Sequence, residues 1–168
     1  MDCELGYSLV EMLIVVAIIV TIAAIAIPSY IDAVNAARVV SAMGDIKQMQ
    51  YEIEFYSADS GDYPISLADL KLGDRVDPWG HPYQYFKISG AEKGKSSAKG
   101  GGKGGGGGGG GSSGGARKDK NLHPLNTDFD LYSMGRDGLT QLPLTAKVSK
   151  DDVIRANDGG FIGLASNY

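Results

Sequence analysis

Cysteine is almost missing from this sequence: among 168 residues there is only Cys3. No internal disulfide can form, and neither a zinc cluster nor a Cys-X-X-Cys redox pair can be built. Histidine is nearly as scarce, with His81 and His123 alone, which leaves little for acid–base or metal chemistry near neutral pH. Positive charge is not in excess either. Sixteen Lys and Arg stand against 20 Asp and Glu, a formal net charge of −4, so the footprint of a nucleic-acid-binding chain is lacking. The stretch Met1 to Gly6 contains no Lys or Arg, whereas a secretory signal peptide opens on a basic region and closes on a small-X-small cleavage site. The apolar run here leaves instead through Ile27-Pro28-Ser29-Tyr30, so removal after the apolar core is not expected. Nothing in this inventory suggests an enzyme.

What is present begins with an apolar run. From Met12 to Ile27 sixteen residues are interrupted by Thr21 alone, and extension back to Leu9 gives nineteen, broken also by Glu11. A helix of that length rises roughly 28 Å, about the hydrocarbon thickness of a bilayer. A buried helix of a soluble core would show a polar face, and this one shows none. A membrane-inserted helix is therefore expected.

Beyond Pro28 the pattern turns amphipathic. Val39, Ala42, Ile46, Met49, Ile53 and Tyr56 follow steps of three and four, with Arg38, Asp45, Lys47, Gln50 and Glu52 between them. That spacing predicts one helix with a core-facing stripe to about Ser57, stopped by Asp59-Ser60-Gly61-Asp62 with Pro64 close behind. Pro28 separates the two regimes and predicts a bend or weak point in one long helix. Ser66 to Leu70 predicts one or two further helical turns, with Ser66 as cap and Asp69 at its third position. Asp77-Pro78-Trp79-Gly80-His81-Pro82 is rich in turn residues. Tyr83 to Ile88 and Phe129 to Met134 read as strands, the second closed by a turn at Gly135-Arg136-Asp137-Gly138. The tail from Asp151 to Tyr168 carries too many Gly, Asp and Asn to be assigned. The soluble part thus reads as a helix followed by a small antiparallel sheet.

Glycine is the residue in excess, at 25 against a usual share of about 7%. Fifteen of these fall between Gly90 and Gly115, inside a low-complexity insert, 90–120, that is expected to be a flexible coil. Gly90-Ala91-Glu92-Lys93-Gly94-Lys95-Ser96 imitates a phosphate-cradling loop, but three residues separate its glycines where four are required, and no helix follows. Lys93, Lys95, Lys99 and Lys103 read as a solvated face of that loop, with attraction to an acidic partner or lipid headgroup as the alternative.

Gly6-Tyr7-Ser8-Leu9-Val10-Glu11 followed by an apolar run resembles the class III signal of type IV pilins and type II secretion pseudopilins. The resemblance implies cleavage between Gly6 and Tyr7 by a prepilin peptidase, N-methylation of Tyr7, and places for Glu11 and Pro28 at the family's fifth and twenty-second mature positions. Physics supports the role of Glu11 independently. An ionised carboxylate in a membrane helix costs on the order of 2.5–3.5 kcal/mol and needs a partner. The cut frees an α-amine on the neighbouring subunit at matching depth, and pairing the two sets the axial register of a filament. The competing reading is a carboxylate solvated near the headgroups.

Three further stretches point to one branch of that family. Ser60-Gly61-Asp62-Tyr63-Pro64, Asp77-Pro78-Trp79-Gly80-His81-Pro82-Tyr83-Gln84-Tyr85 and Phe129-Asp130-Leu131-Tyr132-Ser133-Met134-Gly135-Arg136-Asp137-Gly138 resemble, in order, the signatures of major pseudopilins. Read locally, they are a tight turn and a mini-core of Trp79, Tyr83 and Tyr85. The resemblance implies an α+β, type IV pilin-like fold, with the long N-terminal helix packed on a small antiparallel sheet. Its parts would be a leader at 1–6, a transmembrane and polymerisation helix at 7–28, the periplasmic half of the helix at 29–60, and a head at 61–168. It also implies Ca2+ in the loop after the last strand, held by Asp137, the Met134 carbonyl, Asp151 and Asp152. Calcium takes six to eight oxygens, so backbone carbonyls would complete the set. The local alternative is a turn at Asp137-Gly138 and a helix start at Asp151-Asp152.

The function implied is that of a structural subunit, anchored in the inner membrane with its head in the periplasm. It would polymerise into a periplasmic filament that drives export by a type II secretion system. The implied partners are further copies of the chain, minor pseudopilins, the inner-membrane assembly platform, the prepilin peptidase and the lipid bilayer, with no nucleic acid. The alternative is a type IV pilin of a surface fibre for adhesion, motility or electron transfer.

Overall fold

The computed structural model describes residues 8–88 and 115–168. The expected leader, the Gly6–Tyr7 bond, the Gly-Lys-Ser stretch and Lys93, Lys95, Lys99 and Lys103 lie outside the described residues. The chain divides into two units, Met1–Arg38 and Val39–Tyr168, and helix α1 (Leu9–Ser60) contributes to each.

In the first unit the apolar residues of α1 from Leu9 to Ile31 face outward on every side. No residue of the most apolar stretch is buried. Thr21, the polar interruption, donates its hydroxyl to the Ala17 carbonyl at 2.8 Å, so the side chain is satisfied within the helix as an apolar surrounding demands. Pro28 lies inside α1 and has no N–H to give the carbonyl four residues earlier, which removes one rung of the helix ladder.

In the second unit, α1 buries one stripe. Ala42, Ile46, Met49 and Ile53, at steps of four, three and four, are fully enclosed. They meet Leu67, Leu72, Tyr83, Phe129, Leu131 and Val153, so helical periodicity on one side faces strand alternation on the other. Val39, Met43, Trp79 and Tyr85 pack at the rim of this core, and the helix ends at Ser60, a turn-fraction beyond the expected Ser57. Tyr83 ties helix to sheet by donating its hydroxyl to Asp45 at 2.8 Å. At the 3₁₀ turn Leu67–Leu70, Asp69 Oδ2 accepts the Ser66 N–H at 2.9 Å, the Asp69 half of the expected capping box.

The sheet has four antiparallel strands in the order β1 (Gln84–Lys87), β2 (Phe129–Ser133), β3 (Val153–Ala156), β4 (Phe161–Leu164). Register pairs Gln84 with Tyr132, Tyr132 with Ile154, and Ile154 with Gly163. Its second face has its own smaller core, where Ile154 and Ala156 meet Leu125, Leu144 and Ala165, with Tyr132 and Phe161 against them. Two strands therefore fall in the tail from Asp151 onward, where no assignment was expected. β3 is buried along its whole length, which erases the period-two alternation that marks a half-exposed strand. The β3–β4 turn runs through Asn157, Asp158 and Gly159 at φ +54°, +52° and +88°. Gly159 takes this left-handed conformation without strain, and a Cβ there would sit 2.2 Å from the Gln50 Nε2 of α1, so the amide end of that side chain would have to shift.

The expected coil over 90–120 needs one correction at its end. Arg117 is 2% exposed, and Lys118 pairs with the Leu142–Leu144 segment in both directions, at 3.0 Å each. A buried guanidinium with charged and aromatic partners holds that stretch against the sheet, so the fold resumes by Arg117 and not after Lys120.

Candidate functional site

Two places carry the residues singled out by sequence. The first is the start of α1. Glu11 lies in the first turn, where the helix dipole favours a carboxylate, and the Met12 N–H reaches the Ser8 carbonyl at 3.2 Å. Around Glu11 the exposed residues Leu9, Val10, Met12, Leu13 and Ile14 form an apolar collar. Gly6 and Tyr7, its expected processing neighbours, lie outside the described residues.

The second place is where β2 ends. Asp77 is buried, and its Oδ1 accepts the backbone N–H of Trp79 at 3.0 Å and of His81 at 2.8 Å. Its Oδ2 accepts the hydroxyl of Ser133, and Ser133 Oγ in turn accepts the Gly135 N–H at 3.0 Å. His81 Nδ1 then donates to the Gly135 carbonyl at 3.0 Å. The turn-rich stretch at 77–82 and the Ser133–Gly135 part of the Phe129–Gly138 stretch, far apart in sequence, are thus parts of one clasp.

The loop beyond this clasp holds the expected calcium ligands, and the fold treats them differently. Asp151 is turned toward the 135–138 turn: its Oδ2 accepts the N–H of Arg136 at 3.0 Å and of Asp137 at 3.2 Å. Gly135, at φ +65°, leaves no room for a side chain, since a Cβ would stand 2.3 Å from the Asp151 carbonyl oxygen. Asp137 Oδ1 accepts the Leu139 N–H at 2.8 Å. Asp152 departs from this group. It is wholly buried, and its Oδ2 accepts from Arg117 Nη2 at 2.7 Å and Thr140 Oγ1 at 2.7 Å. Burial pushes the Asp152 carboxyl up to about 6 against the pull of Arg117. Its Oδ1 is buried without a protein partner. Among the described residues no three His, Cys, Asp or Glu side chains gather as a metal cluster would require. Asp151-Asp152 is also not a helix start: a 3₁₀ turn, Lys147–Ser149, precedes the pair and β3 follows it.

Two arginines escaped the sequence reading. Arg155 lies on β3, 1% exposed, gripping Asp128 with both nitrogens at 2.8 and 2.6 Å and lying 3.9 Å over the Phe129 ring. Arg117 lies 4.2 Å over the Tyr132 ring. For Arg155 the signal was the Asn-Asp-Gly-Gly run between Val153-Ile154 and Phe161-Ile162, a hairpin mark. For Arg117 there was no signal, because it follows directly on the low-complexity stretch.

Among known proteins, the type II secretion system core protein G of Pseudomonas aeruginosa is 30% identical over 101 residues, a match taking in 48% of this chain and 71% of the relative. The chain belongs to that pseudopilin family. No protein-family model and no solved structure matches it. The α+β architecture, a long apolar N-terminal helix whose later turns pack on four antiparallel strands, is the pilin-like fold expected for such a subunit. One uncovered apolar helix together with the family fits a protein anchored in the inner membrane.

Proposed function

We propose that the chain is the filament-forming subunit of a type II secretion system, of the major pseudopilin kind. The first half of α1 stores it in the inner membrane, with the rest of the helix, 29–60, and the head, 61–168, in the periplasm, and it is then drawn into a periplasmic filament that drives protein export. The observation that carries this reading is an apolar helix exposed on every side with one carboxylate, Glu11, in its first turn. A prepilin peptidase cuts Gly6–Tyr7 and methylates Tyr7. The amine so created on one subunit pairs with Glu11 of its neighbour, relieving the cost of holding either charge in a low-dielectric surrounding. Pro28, by removing one helix hydrogen bond, supplies a point of give when the helix passes from lipid to filament. Further copies of the chain, minor pseudopilins and an inner-membrane platform complete the assembly, and the chain itself carries out no covalent chemistry.

The test is Glu11→Ala in cells holding the rest of the export machine. The variant is expected in the membrane fraction at normal level with no filaments and no export. Normal filaments from Glu11→Ala would overturn the charge-pairing reading.

A further inference from the structure

The family resemblance implies a calcium ion in the loop that follows β2, held by Asp137, the Met134 carbonyl, Asp151 and Asp152. Here the loop from Gly135 to Asp152 is held from within. Asp151 takes two backbone N–H groups of the 135–138 turn. Ser149 accepts the Gln141 N–H and donates to the Gln141 carbonyl, both at 2.9 Å. Leu142 and Leu144 are laced to Lys118. At the centre stands Arg117. Its Nη1 donates to Thr140 Oγ1 at 2.6 Å, its Nη2 to Asp152 Oδ2 at 2.7 Å, and its backbone N–H to Asp130 Oδ2 at 2.6 Å.

We propose that Arg117 is this chain's substitute for the divalent cation: its guanidinium, delivered by the segment that follows the glycine-rich stretch, closes the 135–152 loop onto the sheet. The donor chemistry agrees. Calcium needs six to eight oxygens, and Asp152, one of the four implied ligands, is enclosed, with its Oδ2 committed to Arg117 and Thr140 and its Oδ1 left without a protein partner. A dication at that carboxylate would stand within a few ångströms of a buried guanidinium, a repulsion that a low-dielectric interior magnifies. A guanidinium is also the better fixture here, because its fork reaches a carboxylate and a hydroxyl together while its face lies on Tyr132. The seam of Lys118 with Leu142 and Leu144 brings the Arg117 backbone to the loop. The glycine-rich stretch thus leads into an anchor that the fold depends on.

The inference rests on the family reading for its expectation of calcium, but its test uses the stability of the head, so a failure of filament assembly leaves it standing. The full chain in detergent is melted with excess calcium chloride and with excess chelator, beside Arg117→Met and Arg117→Met/Asp152→Asn. The wild-type melting temperature is expected to differ by less than about 1 °C between the two conditions, where a hundredfold excess of a bound ligand would raise it by several degrees. Arg117→Met is expected to lose on the order of 10 °C in both, because a buried carboxylate loses its partner. The double variant is expected to regain a good part of that loss. A calcium-dependent rise in the wild type overturns the proposal. So does an Arg117→Met chain as stable as wild type, or a double variant no better than the single one.

Discussion

Ser133 at the end of β2 donates its hydroxyl to Asp77, 56 residues earlier, and both side chains are buried. This one bond joins the turn at 77–82 to the edge of the loop that follows β2. Two separated stretches that each resemble the pseudopilin signatures are thus halves of one clasp. Ser133→Ala leaves Asp77 Oδ2 buried without its donor and is expected to cost about 1–3 kcal/mol. Asp77→Ala orphans the Trp79 and His81 amides as well and is expected to cost more. Asp77→Asn, which keeps an acceptor oxygen, is expected to fall below Asp77→Ala. Urea unfolding of the three variants checks the order.

Two glycines give opposite expectations for the same substitution. Gly159 stands at φ +88° with Gln50 against it, so Gly159→Ala is expected to destabilise by about 1–2 kcal/mol from backbone strain alone, with a clash in addition. Gly44 lies inside α1 with nothing within 4 Å of an added Cβ. Gly44→Ala is expected to stabilise by about 0.5–1 kcal/mol. Thermal melts of both settle the contrast.

Beside the buried Asp152, Asp130 gives one part of the pH dependence. Burial raises its carboxyl above the ordinary 3.8, against the pull of its bonds from Asn126 and Arg117. A folded pKa above the unfolded one means that the native state holds the proton more tightly. The contribution of Asp130 to stability is therefore fully present below 3.8 and is lost as pH rises through the folded value. Asp130→Asn is expected to flatten the stability–pH curve just above that point. An unchanged slope in the variant would contradict the assignment.

How much of this could be read from the residues is uneven, and the reasons are physical. The stripe Ala42, Ile46, Met49 and Ile53 was legible because a surface helix must alternate at 3.6 residues. β1 and β2 were legible because aromatic residues alternate beside turn residues. β3 was not, since Val153, Ile154, Arg155 and Ala156 are all buried and leave no polar beat to count. A buried arginine in its middle hid it further, for its charge is answered by Asp128 and the Phe129 ring, both far off in sequence. At the site, Glu11 stood out because a carboxylate in an apolar run is costly anywhere it lies. The surroundings of Asp152 were not legible. Its neighbour Asp151 turns to the 135–138 turn while Asp152 turns inward to Arg117, just ahead of β3. No sequence pattern announces the arginine that meets it.

In the proposed filament Glu11 pairs with the α-amine freed on its neighbour. The most direct measurement is the N-terminal mass of the protein extracted from membranes of cells that hold a prepilin peptidase. The expected mass is that of a chain that begins at Tyr7 and carries one methyl group on its α-amine, with Met1 to Gly6 gone. A functional protein still bearing Gly6 at that junction would contradict it.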